Sequence, residues 1–181
     1  MVCRRTYLHD IESYQALAIT RMEKQKYTYD YPRPAVTTDC VVFAHDGNSI
    51  SVLLIERGAE PYKGAWAFPG GFLNMDETAE QGALRELQEE TGLELNHVTQ
   101  VGAFTEVDRD PRTRVITIAF YAFSEKREVK GGDDAARAQW FPIDQLPKLA
   151  FDHEDILRKA METMRRDAYF DKAAEPTRTQ S

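Results

Sequence analysis

The feature that most constrains the fold is one stretch, GFLNMDETAEQGALRELQEETGL, which runs from Gly71 to Leu93. Thr78 and Gln81 have the spacing of a capping box, so a helix is predicted to begin there. Gly92 follows the helix, at the position where a left-handed residue commonly ends one. Between these ends, three apolar residues recur at helical spacing, Ala79, Ala83 and Leu87. The stretch therefore predicts a short amphipathic helix with one face on the core.

The same helix carries three glutamates, Glu86, Glu89 and Glu90. At about 100° per residue they lie within roughly a 100° arc, where each pair of like charges costs a few tenths of a kcal/mol. Arg85 offsets only part of this charge. A solvated acidic surface is the ordinary explanation of such a run. A bound Mg²⁺ or Mn²⁺ ion is the alternative, because these ions are coordinated by closely spaced carboxylates.

The glutamates belong to a longer pattern, G-x5-E-x7-R-E-U-x-E-E-x-G-U, in which U is an aliphatic residue. Every specified position is filled, by Gly71, Glu77, Arg85, Glu86, Leu87, Glu89, Glu90, Gly92 and Leu93. With average residue frequencies, such a match arises by chance on the order of once in 10⁹ windows. The pattern favours a metal-binding site over a solvated surface.

This pattern resembles the signature of the Nudix hydrolases, and the resemblance covers residues 33–150. Within that family, the chain resembles the branch of the ADP-ribose pyrophosphatases. It implies a Nudix-type α/β/α sandwich with a mixed β-sheet. It also implies hydrolysis of a nucleoside diphosphate linked to another group, with Mg²⁺ or Mn²⁺ as cofactor. The metal ligands carried over from the family are a backbone carbonyl and three carboxylates, at Gly70, Glu86, Glu89 and Glu90.

Other positions of the signature have supporting roles. The resemblance implies that Arg85 and Glu77 orient the glutamates through charge-assisted hydrogen bonds. Gly70 and Gly71 let the backbone approach metal and phosphate closely, although a Pro-Gly-Gly triplet also suits a plain tight turn.

The attacking water needs a carboxylate to take its proton. The family places this base either in the signature or in a later loop. Glu89 is our first choice, so that the predicted catalytic residues are Glu77, Arg85, Glu89 and Glu90. The loop acids lie in SEKREVKGGDDAA, and they are Glu125, Glu128, Asp133 and Asp134. Polar loops also carry such acids without any function.

The signature handles the pyrophosphate and does not identify the attached groups. The segment EVDRDPRTRVITIAFYAF, residues 106–123, resembles a segment of Nudix domains that handle ADP-ribose. Arg109, Arg112 and Arg114 are then predicted to contact a diphosphate or terminal ribose by bidentate hydrogen bonds. An Asp-Pro turn between two strands is the simpler explanation of the segment.

Aromatic rings and one glycine complete the predicted substrate contacts. Gly71 is assigned to the phosphate and Phe104 to stacking on a base. Tyr31 and Trp66 are further stacking candidates, and packing in the core is the commoner role for all three rings.

ADP-ribose is therefore the predicted substrate, with AMP and ribose 5-phosphate as products. One alternative substrate is a nucleoside triphosphate, ordinary or oxidised. Another function is ADP-ribose sensing without catalysis, because some Nudix domains with an R-D-P-R segment belong to transcriptional regulators with a C-terminal winged helix. The residues after position 150 predict one helix and a short tail, which is too little for a winged helix, and every signature glutamate is present. Both observations favour the enzyme.

Composition narrows the partners. A net charge of −7 argues against a nucleic-acid-binding face, which would be basic. Cys3 and Cys40 form no C-x-x-C pair, so a reducing compartment is expected. No window approaches the roughly 18 apolar residues of a membrane span. We predict a cytoplasmic protein whose partner is a small-molecule nucleotide, without nucleic acid or membrane. The histidines receive no ligand role, since none of His9, His45, His97 and His153 is paired at metal spacing.

The chain is predicted to have three parts: an N-terminal helical extension and linker (1–32), a Nudix domain (33–170) and a flexible tail (171–181). Helices are expected at residues 9–25 and 151–170, and strands at 35–44, 49–58, 98–107, 114–123 and 139–142. The first helix is a candidate contact in a homodimer, with packing on its own core as the alternative.

Overall fold

The computed structural model describes residues 28–47, 49–132 and 135–174. Contacts divide the chain into two units, Met1–Arg33 and Pro34–Ser181. Of the first unit only residues 28–33 are described. The predicted helix at residues 9–25, and with it the proposed dimer contact, lies outside the described residues.

The second unit has seven strands and two helices within its described residues. The strands are β1 (Ala35–His45), β2 (Ile50–Arg57), β3 (Trp66–Ala67), β4 (Gly70–Phe72), β5 (Thr99–Phe104), β6 (Val115–Phe123) and β7 (Ala135–Pro142), and the helices are α1 (Ala79–Thr91) and α2 (His153–Ala174). Strands β3 and β4 were not predicted, because two or three residues are too few to show alternation. Strand β7 begins earlier than predicted, and α2 continues beyond residue 170.

The strands form one mixed sheet in the order β3-β2-β1-β6-β5, with β4 paired to β1 and β7 paired to β2. Strands β1 and β6 run parallel, and the other pairings between named strands are antiparallel. A parallel pair requires a long crossover connection. Here the crossover contains the predicted signature helix.

Strands β1 and β2 separate beyond their shared turn, and this separation makes room for the site. Strand β1 pairs with β2 over Phe43–His45 but with β4 over Thr37–Asp39. Strand β2 pairs with β3 at Ile55 and Glu56. The segment that contains β3 and β4 therefore lies against both strands, and it brings Gly70 opposite Asp39.

Side chains alternate between the two faces of the sheet, and each face packs against one helix. On one face, Val41 and Phe43 of β1 share a core cluster with Ile156 and Ala160 of α2. On the other face, Cys40 and Val42 cluster with residues of α1, Ala83 and Leu87. The predicted α/β/α sandwich is confirmed.

Helix α1 begins and ends where the sequence predicts. The Thr78 hydroxyl accepts from the Gln81 amide at 3.2 Å, and the Gln81 side chain accepts from the Thr78 amide at 2.8 Å. Gly92 has φ +71° and donates its amide to the Gln88 carbonyl. Ala83 and Leu87 are fully buried.

Replacing Thr78 with alanine is expected to destabilise the protein by about 1 kcal/mol, because one amide of the first turn loses its acceptor. For a chain of this size the melting temperature should fall by about 2–4 °C. Thermal unfolding followed by circular dichroism measures this change. Thr78→Ser keeps the acceptor and should melt within a degree or so of the wild type. A loss as large in Thr78→Ser would contradict the capping explanation.

Candidate active site

A pocket of about 340 Å³ opens where β4, α1, the 106–114 loop and the start of α2 meet. Carboxylates and guanidiniums both line it: Asp39, Arg57, Glu86, Glu90, Arg109 and Arg112. The pocket therefore offers oxygen ligands for a cation and donors for an anion side by side.

Glu90 is the most buried of the three signature glutamates, with 7% of its surface exposed. Its Oε2 accepts a hydrogen bond from the Gly70 amide at 2.9 Å, which ties the last turn of α1 to β4. Burial raises the pKa of Glu90 to about 8, against the effect of the Gly70 hydrogen bond. The nearby charges of Glu86 and Asp39 raise it further. The positive charge of Arg57 lowers it, but by less than the other causes raise it.

Arg85 connects the acids of the signature. Its Nε and Nη2 donate to the two oxygens of Glu77 at 2.9 and 2.6 Å. Its Nη1 donates to Glu86 at 2.7 Å and to Glu89 at 2.9 Å, and Nη2 also reaches the Phe72 carbonyl at 3.2 Å. These hydrogen bonds lower the pKa of Glu77 to about 2 and raise that of Arg85.

Glu86 lies between Arg85 and the glycine turn. Burial raises the pKa of Glu86, although the Arg85 hydrogen bond opposes this effect. A Cβ added to Gly71 would collide with all three atoms of the Glu86 carboxyl group, and one added to Gly70 would collide with the Thr38 carbonyl. Gly70 therefore requires glycine, because the backbone of β1 already occupies the space of a side chain. A side chain at Gly71 would instead displace the Glu86 carboxylate.

The donor set fits a hard divalent cation. Glu86 and Glu90 line the pocket with carboxylate oxygens, which are the donors that Mg²⁺ and Mn²⁺ prefer. Among the described residues, no three acidic, histidine or cysteine side chains converge closely enough to enclose an ion. Glu89 is directed to Arg85, and 42% of its side chain is exposed. Mg²⁺ usually takes only one or two carboxylates and completes its shell with water and phosphate oxygens.

Part of the pocket wall is cationic and aromatic. The guanidiniums of Arg57 and Arg112 lie 4.8 and 5.8 Å from the centre of the Phe151 ring. Arg57 donates from Nε to the Pro61 carbonyl at 2.8 Å, and it has no carboxylate partner among the described residues. Burial lowers the pKa of Arg57, and the charge of Arg112 lowers it further. Arg112 is paired with Asp110 at 2.6 Å. An anion would relieve the repulsion between the two guanidiniums.

A buried polar network forms part of the pocket wall, and we call it the Asp39 network. Its members are Asp39, Thr117, Arg109, Asp152 and His153. Thr117 donates to Asp39 Oδ2 at 2.5 Å. Arg109 donates from Nε and Nη2 to the two oxygens of Asp152 at 2.9 and 2.6 Å, and its Nη2 lies 4.0 Å from Asp39 Oδ2. His153 Nε2 lies 3.6 Å from Asp39 Oδ1.

A comparison with protein families decides what this arrangement belongs to. The family model described as NUDIX domain matches residues 33–162, which is more than half of the chain. The chain belongs to the NUDIX family. It is a Nudix hydrolase, and the resemblance drawn from the signature is confirmed.

Characterised relatives include enzymes and a regulator. The chain is 40% identical over 148 residues to an ADP-ribose pyrophosphatase of Methanocaldococcus jannaschii, a match that covers 82% of this chain and 85% of the relative. It is 35% identical to an ADPR responsive transcriptional repressor, NtrR, of Acinetobacter baylyi, over 72% of this chain and 54% of the repressor. This Nudix chain thus spans about half of the repressor.

Solved Nudix structures share the fold. The NUDIX domain of Shewanella oneidensis NrtR, crystallised with ADP ribose, superposes with a TM-score of 0.71 at 26% identity, covering 83% of this chain and 97% of that one. A MutT/nudix family protein of Enterococcus faecalis has a TM-score of 0.73 at 28% identity, covering 92% and 76% of the two chains. The described helices of this Nudix chain include none that is long and apolar enough to cross a membrane.

Not every predicted contact residue of the Nudix domain lies at the pocket. Gly71, Arg109 and Arg112 line it. Arg114 instead donates to the Glu106 carbonyl at 3.0 Å, and Phe104 packs against the core. Neither of these two lines the pocket, and neither do Glu77 and Glu89, so the predicted roles of all four stay predictions.

The other sequence candidates are less directly placed. Trp66 packs against the same core as Phe104, while Tyr31 is 80% exposed. Glu128 is exposed and does not line the pocket. Asp133 and Asp134 lie outside the described residues, so their proposed role as a base stays a prediction.

Sequence reasoning missed several residues of the pocket wall, among them Asp39, Arg57, Phe151 and His153. Asp39 could have been recognised, because it is an acid in a strand of mostly apolar and hydroxyl-bearing residues. An acid buried in a strand is seldom found without a partner. Phe151 has a positive φ of +52°, which no local pattern announces. Arg57 and His153 lie outside the signature in the sequence, and only the folded structure brings them to it.

Proposed function

We propose that this Nudix hydrolase cleaves ADP-ribose to AMP and ribose 5-phosphate, with Mg²⁺ or Mn²⁺ as its cofactor. The observation that carries the proposal is 40% identity to an ADP-ribose pyrophosphatase along most of both chains. The pocket supports it, because acids and guanidiniums together line one cavity of about 340 Å³.

Of the four predicted metal ligands, three line the pocket and are proposed to hold the ion: the carboxylates of Glu86 and Glu90 and the backbone carbonyl of Gly70. The fourth, Glu89, does not line the pocket, and its role as a ligand stays a prediction. Bound there, Mg²⁺ or Mn²⁺ would neutralise phosphate oxygens and lower the pKa of a water molecule. Arg85 keeps Glu86 in place, and the Gly70 amide keeps Glu90 in place. Such support around the ligands is commonly worth 10-fold to 100-fold in metal affinity or activity, as an order of magnitude.

Hydrolysis forms one P–O bond from water and breaks one P–O bond of the diphosphate bridge, and the water proton goes to a carboxylate. Glu89 is the proposed acceptor. Its Oε2 accepts from Arg85, while Oε1 has no partner among the described residues and is free to take the proton. The hydrogen bond from Arg85 also limits the directions that this side chain can adopt.

Arg57 and Arg112 are proposed to hold the diphosphate. Arg57 reaches only backbone carbonyls within the described chain, so its charge is available to a ligand. Phosphoryl transfer depends chiefly on such positioning and on charge stabilisation. The two guanidiniums thus complement the acids without taking part in proton transfer.

A substrate panel tests the proposal. Purified protein would be incubated with ADP-ribose, another ADP-sugar, a dinucleotide and an oxidised triphosphate, each with Mg²⁺, with Mn²⁺ and with a chelator. We expect kcat/KM for ADP-ribose to exceed that for the triphosphate by about tenfold or more. AMP and ribose 5-phosphate should be the products by chromatography, and the chelator should abolish turnover. Preference for the triphosphate would overturn the substrate assignment.

A sensing function is the second candidate, because the chain resembles NtrR and the NUDIX domain of NrtR. Tight binding of ADP-ribose without cleavage in the same panel would favour it. The cytoplasmic location and the homodimer stay predictions.

A further inference from the structure

The backbone from Phe68 to Gly70 is held at three consecutive residues. The Phe68 amide donates to Nδ1 of His153 at 3.0 Å. The Pro69 carbonyl accepts from the Cys40 amide at 2.9 Å. The Gly70 amide donates to Glu90 at 2.9 Å. Two of these partners belong to β1 and to the signature helix, and the third comes from α2.

His153 is built into this arrangement with little freedom. It is 3% exposed, and its ring stacks on Phe68 with centroids 5.3 Å apart and planes only 6° from parallel. Because Nδ1 accepts the Phe68 amide, the proton of the neutral ring must reside on Nε2. Nε2 faces Asp39 Oδ1 at 3.6 Å.

The carboxylate that His153 faces is itself fixed. Thr117 donates to Asp39 from β6, and Arg109 joins Asp39 to Asp152, the residue that precedes His153. Asp39 also lies opposite Gly70 in the β1–β4 pairing. The Asp39 network therefore fixes both the ring of His153 and strand β1, which pairs with β4 at Gly70.

We propose that His153 is a positioning residue for the reaction: its Nδ1 fixes the Phe68 amide, and this places Gly70 at the Glu90 carboxylate. The inference rests on the proposed function in that Gly70 and Glu90 are taken as metal ligands. A buried histidine that merely fills the core would stabilise the protein without setting the geometry at Gly70. The two roles predict different results.

Three substitutions separate these roles. His153→Asn places an amide oxygen near the position of Nδ1 and retains an acceptor for Phe68. His153→Phe retains the stacked ring but has no acceptor. Ile156→Val is the matched control, because Ile156 is fully buried in α2 while the acceptor of the Phe68 amide is His153. It measures the effect of destabilising α2 alone.

Three readouts apply to each variant: hydrogen exchange of the Phe68 and Gly70 amides, Mn²⁺ affinity by electron paramagnetic resonance, and kcat and KM. For His153→Phe we expect Mn²⁺ binding and kcat to weaken by about 10-fold to 100-fold. Both amides should exchange faster by about tenfold or more. His153→Asn should recover most of each loss. Ile156→Val should lower the melting temperature without changing kcat or Mn²⁺ affinity.

The inference is overturned if His153→Asn loses as much as His153→Phe, or if activity in every variant simply follows the melting temperature. Should His153→Phe fail to fold, the comparison of His153→Asn with the wild type and with Ile156→Val decides the matter. Failure of the wild type to cleave ADP-ribose would overturn the proposed function instead. The exchange rates and Mn²⁺ affinities would then still decide the role of His153.

Discussion

Replacing Glu90 with glutamine is expected to lower kcat/KM for metal-dependent hydrolysis by about 10³-fold or more, with the fold unchanged. Losing a charged ligand removes several kcal/mol of charge stabilisation, and each 1.36 kcal/mol is about tenfold in rate. The glutamine oxygen can still accept the Gly70 amide, which now bonds Glu90 at 2.9 Å. The variant therefore separates ligand charge from local structure.

Stability adds a second signature to this variant. Burial raises the pKa of Glu90 from 4.5 to about 8, so without metal the folded state binds a proton more tightly than the unfolded state. Stability of the metal-free wild type should then fall as pH rises from about 4.5 to 8. Glutamine has no such proton, so metal-free Glu90→Gln should become increasingly the more stable protein over that range. Urea unfolding with a chelator present measures the difference.

Above neutral pH, added Mg²⁺ should make the wild type more stable than Glu90→Gln. An ion that binds the folded wild type stabilises it, whereas the variant lacks the charged ligand. Glu80→Gln is the matched control, since Glu80 lies in the exposed first turn of the same helix. Its activity and metal response should equal those of the wild type. Full turnover by Glu90→Gln would rule out a ligand role for Glu90.

Replacing Arg85 with alanine is expected to lower kcat/KM by about 10²-fold and to destabilise the fold by about 2 kcal/mol. The change leaves Glu77, Glu86 and Glu89 without their shared donor. Arg85→Lys should recover part of the stability and little of the activity, because an ammonium group cannot replace a planar fork. Enzyme kinetics and urea midpoints at pH 7 measure both effects.

The stability effect of Arg85 should depend on pH. Its hydrogen bonds lower the pKa of Glu77 from 4.5 to about 2, so their contribution is complete above about pH 4.5 and is lost as the pH falls toward 2. The difference in urea midpoint between wild type and Arg85→Ala should therefore shrink as the pH falls from about 5 to about 3.

Arg158→Lys provides the surface comparison. Arg158 forms exposed ion pairs with Asp155 and Glu162 on α2, and water screens such pairs strongly. Its urea midpoint should be close to that of the wild type at every pH. If Arg85→Ala changed the urea midpoint as little as Arg158→Lys does, the Arg85 hydrogen bonds would be ordinary surface contacts.

Local patterns predicted helix α1 and its supporting arginine well. Capping between Thr78 and Gln81, the left-handed Gly92 and the apolar stripe depend on neighbours within a few residues. Their interactions are set by helical geometry, which spacing alone reveals. The same holds for Arg85 and Glu89, which are one helical turn apart.

The cationic wall was harder to predict, because its partners come from distant strands and loops. The R-D-P-R segment contains Arg109 and Arg112, yet nothing in it indicates that Asp152 binds both donors of Arg109. Arg57 ends a strand, and only the fold places it beside Phe151. Pairings of this kind follow from sheet topology, which a single sequence leaves open.

The parallel pairing of β1 with β6 has a consequence for how the molecule is made. Thr117 and Asp39 are 78 positions apart along the chain, and Phe68 and His153 are 85 apart. Closing such long loops costs conformational entropy before the contacts that stabilise them have formed. Folding is therefore slow when contacts join residues far apart in the sequence, which is a high contact order. A newly synthesised chain can form its acidic helix early, but it becomes a working catalyst only when α2, which follows β7 in the chain, has docked.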